Sequence, residues 1–273
     1  MLEVCNELGF PVFVLERATL VLRDLDLIAE INHNTPSVMA FSIISTPDSM
    51  FYKQVHQIEH LAPLSEKRFT AMEKFASAGL LTGVCFMPIL PGLCDDKNNL
   101  ENVVRWTAKH GGKFVLASGL TLSDQQRDYF FKIISKRFPD FLPLYQSLYP
   151  HGNYSISGKE WQKTALYIRE LCNHYGISDR IPRPILPGDK HTLNKRIVEA
   201  LANQVYTLEV NTAPTQRIWA YRKAAWAIED LDQDIGLVYR SLGLRGLQSI
   251  QNIGPSLGRV VEQFITRIPP PYL

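Results

Sequence analysis

Four short, nearly continuous apolar runs separated by amphipathic stretches constrain this chain more than any other feature. Pro11 to Leu15, Ser37 to Ile44, Leu80 to Met87 and Phe114 to Ala117 lack the polar alternation of a half-exposed strand. Each therefore predicts a strand buried on both faces. Helical patterns stand between them. Leu25, Ile28 and Ile31 form one; Phe69, Met72 and Ala76 form the next, with Ser65 as its expected N-cap and Gly79 as its terminator; Leu100, Val103, Val104 and Trp106 form a third. Such strands alternating with helices predict an α/β fold on a parallel sheet. A closed or partial barrel is preferred to an open doubly wound sheet. Polar and turn-forming residues gather just after each strand, at Glu16-Arg17, Ser45-Thr46, Pro88 to Asp96 and Ser118-Gly119, and in barrels the C-terminal strand ends carry the site.

Two further helices are predicted from about Asp124 to Arg137 and from about Lys159 to Tyr175. Ile181 to Gly188 then holds three prolines and a glycine and reads as a stiff connector. The expected organisation is a first domain over 1–180, a linker over 181–189 and a small all-α domain over 190–268.

Composition bounds the function classes. Hydrophobic residues at 45% and charged residues at 21% describe a soluble globular chain with a full core. A net charge of +2 gives no bulk argument for nucleic-acid binding. The uncharged run from Phe75 to Cys94 is punctuated by Gly79, Gly83, Pro88, Pro91 and Gly92, so it divides into a helix end, a strand and a loop rather than a membrane span. Glu3 and Glu7 interrupt the N-terminal apolar stretch, so no signal peptide is read and a cytoplasmic protein is expected.

Cys5, Cys85, Cys94 and Cys172 show no ligand-type spacing and read as reduced structural thiols, with no metal ligands assigned. His56 and His60 are four apart without a third ligand nearby and read as a solvated pair. Cys172 and His174 do not make a site alone. Tyr145, Tyr149 and Tyr154 read as packing residues rather than radical relays.

A family signal lies in the order of several motifs: Arg17 to Leu27, Phe41 to Thr46, the Glu59-to-Arg68 segment, and Met87-Pro88-Ile89-Leu90-Pro91-Gly92 leading to Asp95. Together, over residues 1 to about 180, they resemble the radical SAM enzymes of the spore photoproduct lyase-like group. The resemblance implies a partial (β/α) barrel holding a [4Fe–4S] cluster and S-adenosylmethionine, whose reductive cleavage yields a 5′-deoxyadenosyl radical. In such enzymes the cofactors carry the chemistry and the protein positions them.

Against the family pattern, the CxxxCxxC cluster triad is missing. Met1 to Leu8 read as the helix leading into the third barrel strand, so the first two strands, the cluster loop and the glycine-rich contact to the methionine moiety are expected to be absent. The four cysteines are too scattered to replace the triad. The cluster is therefore not expected to bind this chain, and no catalytic residue is assigned. Two cofactor contacts are implied. Arg17 stands where the family commonly has a lysine meeting the cofactor's carboxylate, and Ser42 matches a strand-end serine near the ribose. The alternatives are a rim ion pair for Arg17 and a hydroxyl satisfied by backbone for Ser42. Asp95 and Ser118 lie at strand ends without an assigned role.

The C-terminal part carries the clearer motif. Leu247, Ile250 and Ile253 point inward at helical spacing, Asn252 and Gly254 are expected to make a turn, and Pro255 opens a second helix with Leu257, Val260, Val261 and Phe264 on its buried face. Gly258 sits where two helices would approach closely. This fits a helix-hairpin-helix. Backbone N–H groups around Gly254 and the helix start present a positive dipole end to a phosphate without reading a base.

With Ala220 to Ala225 and a helix around Ile197 to Tyr206, the region from about Asn194 to Thr266 resembles the N-terminal domain of DNA polymerase beta. Val260 stands where some relatives carry a Schiff-base lysine, and no lysine follows Lys223, so lyase chemistry by that route is not expected. Residues 190 to 267 hold ten Lys and Arg against seven Asp and Glu, which predicts weak, salt-sensitive binding to the DNA backbone without sequence preference. The candidate contacts are Asn252, Ile253, Gly254, Ser256, Arg259, Arg222, Lys223 and Arg245. A hairpin used only for protein packing is the alternative. For the whole chain two functions stay open. One is a fragment or shortened radical SAM protein linked to DNA repair or nucleic-acid modification. The other is a non-enzymatic nucleic-acid-binding protein that keeps the barrel remnant as scaffold.

Overall fold

The computed structural model describes residues 1–150, 152–156, 158–186 and 188–267, with the side chains of Asp124, Lys159 and Glu160 left aside. Two compact units divide the chain, Met1–Pro184 and Ile185–Leu273. Pro187 of the expected connector and residue 268 of the expected second domain lie outside the described residues.

The first unit runs α1 (Leu2–Glu7), β1 (Val12–Glu16), α2 (Leu25–Asn34), β2 (Ser37–Ser42), α3 (Tyr52–Ile58), α4 (Ser65–Ser77), β3 (Leu81–Ile89), α5 (Lys97–Lys109), β4 (Phe114–Gly119), α6 (Asp124–Arg137), α7 (Leu142–Leu148) and α8 (Gly158–His174). All three strand pairings are parallel and the order is β1-β2-β3-β4. Each strand lies beside its successor, so the sheet winds one way without the reversal of a doubly wound fold. After α8 the chain returns to the far side of β4. Val115 N–H donates to the Ser178 carbonyl at 2.9 Å and Ser178 N–H to the Lys113 carbonyl at 2.9 Å, a rudimentary fifth parallel position.

Burial follows the apolar runs of β2, β3 and the start of β4, but not that of β1, which was expected to be covered on both faces and has no buried residue. Met39, Ala40, Phe41, Val84, Phe86 and Val115 are fully enclosed, as two-sided coverage of a parallel sheet requires. Gly83 of β3 pairs with Phe114 of β4. A Cβ there would lie 2.4 Å from the Phe114 carbonyl oxygen and 2.6 Å from its ring. Gly83→Ala is expected to destabilise the first unit by about 1–3 kcal/mol through overpacking. Faster hydrogen exchange at β3 and β4 amides would show it, and unchanged exchange would refute the close approach.

Two local expectations change. Ser65 is the first residue inside α4 rather than its cap; Leu64 holds the cap position and no side chain caps the helix. The Ser65 hydroxyl turns instead to the Tyr52 hydroxyl and the Glu66 carboxylate, each at 3.4 Å. The second strand stops at Ser42, although Ile43 and Ile44 stay buried. There the chain leaves the sheet because buried Asn99 pins it: its amide donates to the Ile44 carbonyl at 3.0 Å and the Cys94 carbonyl at 2.7 Å. One side chain thus ties together the loops that follow β2 and β3.

The second unit is helical: α9 (Thr192–Val210), α10 (Thr215–Glu229), α11 (Ile235–Ser249) and α12 (Pro255–Arg267). Leu193, Ile197, Leu201, Ala224, Ile228, Leu247, Ile253, Val261 and Ile265 form its core. Asn194 braces it from α9, donating to the Gln233 carbonyl at 3.0 Å and accepting from Ile235 N–H at 2.8 Å. α11 is kinked at Gly243, whose φ of 59° and ψ of −149° only glycine adopts readily. Among the described residues no helix is long and apolar enough to cross a membrane.

Candidate functional site

Two places gather the residues that sequence marks out. The first is the C-terminal rim of the sheet. Arg17 follows β1 directly, and its guanidinium lies 3.3 Å from the Glu59 carboxylate, with half the Arg17 side chain exposed and that of Glu59 buried. The other Glu59 oxygen accepts from Arg68 Nη2 at 3.0 Å. Arg68, 3% exposed on α4, also donates to the Ser42 carbonyl. The Ser42 hydroxyl donates to the Met87 carbonyl at 3.4 Å. Arg17 and Ser42 thus belong to one network whose centre is the pair of Glu59 and Arg68, the two ends of a segment that sequence marked as part of the family signal without reading them as partners. Arg68 stands at a helical position beside Phe69 and Met72 that burial alone would assign to an apolar residue, and nothing local marks its partner.

Asp95 stands further along the same rim. Its carboxylate accepts from Gly92 N–H at 2.7 Å. It lines a small cavity of about 130 Å3 with Ile89, Pro91, Leu144, Leu148, Ile156, Trp161 and Thr164. Desolvation by these walls raises the Asp95 carboxyl above the usual carboxylate range, against the opposing Gly92 hydrogen bond. Ser118 is exposed and its hydroxyl reaches only the next carbonyl, at 3.4 Å. His56 ends within α3 while His60 lies beyond it, so the two do not share a helix face. Among the described residues no three His, Cys, Asp or Glu side chains stand together as metal ligands. Tyr145 and Tyr149 are fully buried and stack at 6.3 Å, a packing role; Tyr154 is half exposed.

The thiols sit on separate elements: Cys5 on α1, Cys85 in β3, Cys94 after β3 and Cys172 on α8, all unpaired. Burial pushes Cys85 up to about 11 and Cys172 up to about 12, and raises Cys94 further. The thiolate is the reactive form, so iodoacetamide at about pH 8 is expected to label Cys5 alone in the native protein. All four should react after denaturation; rapid native labelling of Cys94 would overturn this.

The second place is the turn between α11 and α12. Asn252 takes the left-handed conformation, φ 64°, and is exposed. Gly254 does not: its φ is outside the left-handed region and no atom lies within 4 Å of where its Cβ would be. Asn252 alone therefore supplies the turn's left-handed conformation. Ile253 is buried, so only its backbone faces the turn. The amides of Gly254, Ser256 and Leu257 make no backbone hydrogen bond among the described residues, as the first turn of a helix requires. Such amides at the positive end of a helix can receive an anion. Gly258 is buried, and a Cβ there would meet Gln248 Cγ at 2.8 Å, which shows how closely α11 and α12 approach.

Lys223, Arg245 and Arg259 are exposed on α10, α11 and α12. Arg222 is partly committed, paired with Glu209 and lying 5.2 Å from the Trp219 ring centroid. An open depression of about 470 Å3 joins Lys223 and Asn252 with Thr215, Gln216, Trp219 and Ala220. Val260 is partly buried in the hairpin core, and Ile265 adds a core position that sequence patterning omitted.

Fold and geometry define an α/β protein with a one-way parallel sheet and a helical unit whose α11–α12 turn is exposed at Asn252 and Gly254. Over 146 residues, 54% of this chain, it is 30% identical to proteins described as uncharacterized from Mycobacterium tuberculosis and Mycobacterium bovis. The match spans 42% of the length of those relatives. No protein-family description and no solved structure matches the chain.

Proposed function

We propose that this protein binds the phosphate backbone of DNA through a helix-hairpin-helix formed by α11 and α12, and that its first unit is part of a radical SAM-type barrel. The observation that carries this reading is the exposed Asn252–Gly254 turn, with unbonded amides at the start of α12 and exposed cations on the flanking helices. A phosphate held there would be read as charge and geometry, not as sequence.

The barrel part of the reading is supported by the one-way order of four parallel strands and by the start of a fifth position beyond β4. The edge of β1 adds to this. Phe13 and Leu15, on one face of this edge strand, are 49% and 45% exposed, apolar surface of the kind that further barrel elements would cover. S-adenosylmethionine would meet this chain at Arg17 and Ser42, as a carboxylate against the guanidinium and a ribose near the serine. The donor set does not fit a [4Fe–4S] cluster, since the thiols lie on separate elements and three are buried among apolar side chains. No radical step is therefore assigned to these residues. That misfit concerns these residues alone; the second reading is a DNA-binding protein whose barrel part is scaffold. Equilibrium dialysis separates the two, because retention of S-adenosylmethionine that is lost in Arg17→Ala supports the first.

DNA binding itself is tested by fluorescence anisotropy with a labelled duplex. If Lys223, Arg245, Arg259 and partly Arg222 contact phosphates, log K should fall with log salt at a slope of about −3 to −4. That corresponds to roughly a hundredfold loss between about 50 and 200 mM salt. Absent or salt-independent binding would overturn the reading.

A further inference from the structure

The outer face of α10 carries an aromatic stripe that the hairpin does not need. Trp219 and Trp226 stand two helical turns apart, 43% and 54% exposed, with rings meeting edge-on at 6.0 Å and 66°. Neither belongs to the buried core of the helical unit. Arg222 lies between them in sequence, with its guanidinium 5.2 Å from the Trp219 centroid and its other side held by Glu209. Two exposed indoles braced in this way present apolar, π-rich surface to solvent at a cost that packing does not offset.

Trp219 also forms one wall of the depression that Asn252 lines. That lining has a distinct chemistry. It holds one indole, one exposed cation at Lys223, and the amide or hydroxyl groups of Thr215, Gln216 and Asn252, and no carboxylate. At about 470 Å3 it falls within the range of roughly 300–1,000 Å3 typical of small-ligand sites, room enough for a nucleotide. A basic, carboxylate-free hollow with an indole wall suits a ligand that combines a flat ring with a phosphate.

We propose that this face takes unpaired bases of a single-stranded nucleic acid, a base stacking on Trp219 while a neighbouring phosphate meets Lys223. The inference rests on the nucleic-acid reading of the turn and adds the form of strand. In a duplex the base faces are covered by their neighbours, so only edges and phosphates are open to a protein. An indole wall is of use only to a base that has left the stack. Asn252 of the turn lines the same depression as Trp219, so a strand stacked on the indole lies next to the turn.

The test compares the whole chain binding a 15-nucleotide oligothymidylate and a 15-base-pair duplex, about the footprint of a small module, at one fixed salt concentration. The parent is expected to bind the single strand more tightly. Trp219→Ala should weaken single-strand binding by about five- to a hundredfold and leave duplex binding unchanged, whereas Trp219→Phe should keep most of the single-strand affinity. Gly254→Glu should weaken both. Circular dichroism melting of each variant excludes unfolding as the cause.

If Trp219→Ala binds the single strand like the parent while Gly254→Glu weakens both, the stacking proposal fails and the turn reading stands. A parent that prefers duplex also overturns the proposal. If neither nucleic acid binds, both readings fail. Self-association that Trp219→Ala abolishes, with nucleic-acid binding unchanged, would make the occupant of this face a second copy of the chain and would equally overturn it.

Discussion

Replacing Gly254 with glutamate is expected to lower duplex affinity about ten- to a hundredfold while leaving the protein as stable as before. A hydrogen bond to a charged group contributes roughly 1.5–3 kcal/mol, and each 1.4 kcal/mol is about a factor of ten in Kd. A carboxylate at this position would oppose an incoming phosphate and compete for the same amides. The fold has no comparable objection. No atom lies within 4 Å of a Cβ there, and the backbone is not left-handed. The residue precedes Pro255, a position that favours extended backbone in any residue. An acid next to the start of α12 even gains a few tenths of a kcal/mol from the helix dipole.

Asn252 offers no such separation. At φ 64° a β-branched replacement would strain the turn by about 1–2 kcal/mol, and lost binding could then reflect lost structure. Anisotropy titration and thermal melting of Gly254→Glu are therefore read together. Lost affinity with an unchanged melting curve supports phosphate binding at the turn; parent affinity with the variant would sink it.

The largest effect on stability is expected at Arg68. Removing one partner of a buried ion pair leaves the other charge without compensation, at a cost of about 3–5 kcal/mol. Arg68 and Glu59 side chains are 4% and 5% exposed. Arg68→Met should fall near the lower end, because Arg17 still approaches Glu59. Replacing both partners, Arg68→Met with Glu59→Leu, should recover much of the loss, as apolar substitutes for buried pairs often do. Arg17→Ala, at a half-exposed guanidinium, should cost under about 1 kcal/mol. The two units need not unfold together, so hydrogen exchange of β2 and β3 amides is the appropriate measure. Equal protection in Arg68→Met and Arg17→Ala would show that the pair does not hold the rim.

The positions of β2, β3 and β4 could be read because burial on both faces leaves a local mark, while β1 shows the same apolar run without that burial. Phe41, Val84 and Val115 each sit inside an apolar run, and no distant residue is needed to see it. The connection between α11 and α12 was legible for a similar reason. Asn252 supplies the left-handed turn, Pro255 fits the first helical position, and Gly258 fits a close crossing, all within a few residues. The misreadings were also local. Ser65 has the right residue type for a cap, but its hydroxyl is drawn to Tyr52 and Glu66. Ile43 and Ile44 prolong the apolar run of β2, yet the strand ends before them at Ser42.

What sequence by itself determined is the four strands and the longer helices, though not the short helices α3 and α7, since strand and helix periods and turn chemistry act over a few residues. Tertiary structure alone decided which side chains share a site. It joined Arg17, Ser42, Glu59 and Arg68 at one rim, from the ends of two strands, a loop and a helix. It set Trp219 and Lys223 of α10 around the same hollow as Asn252 of the turn. Those partnerships depend on how elements pack, and neither an isolated buried arginine nor an exposed tryptophan carries in its own neighbourhood any sign of the residue it will meet.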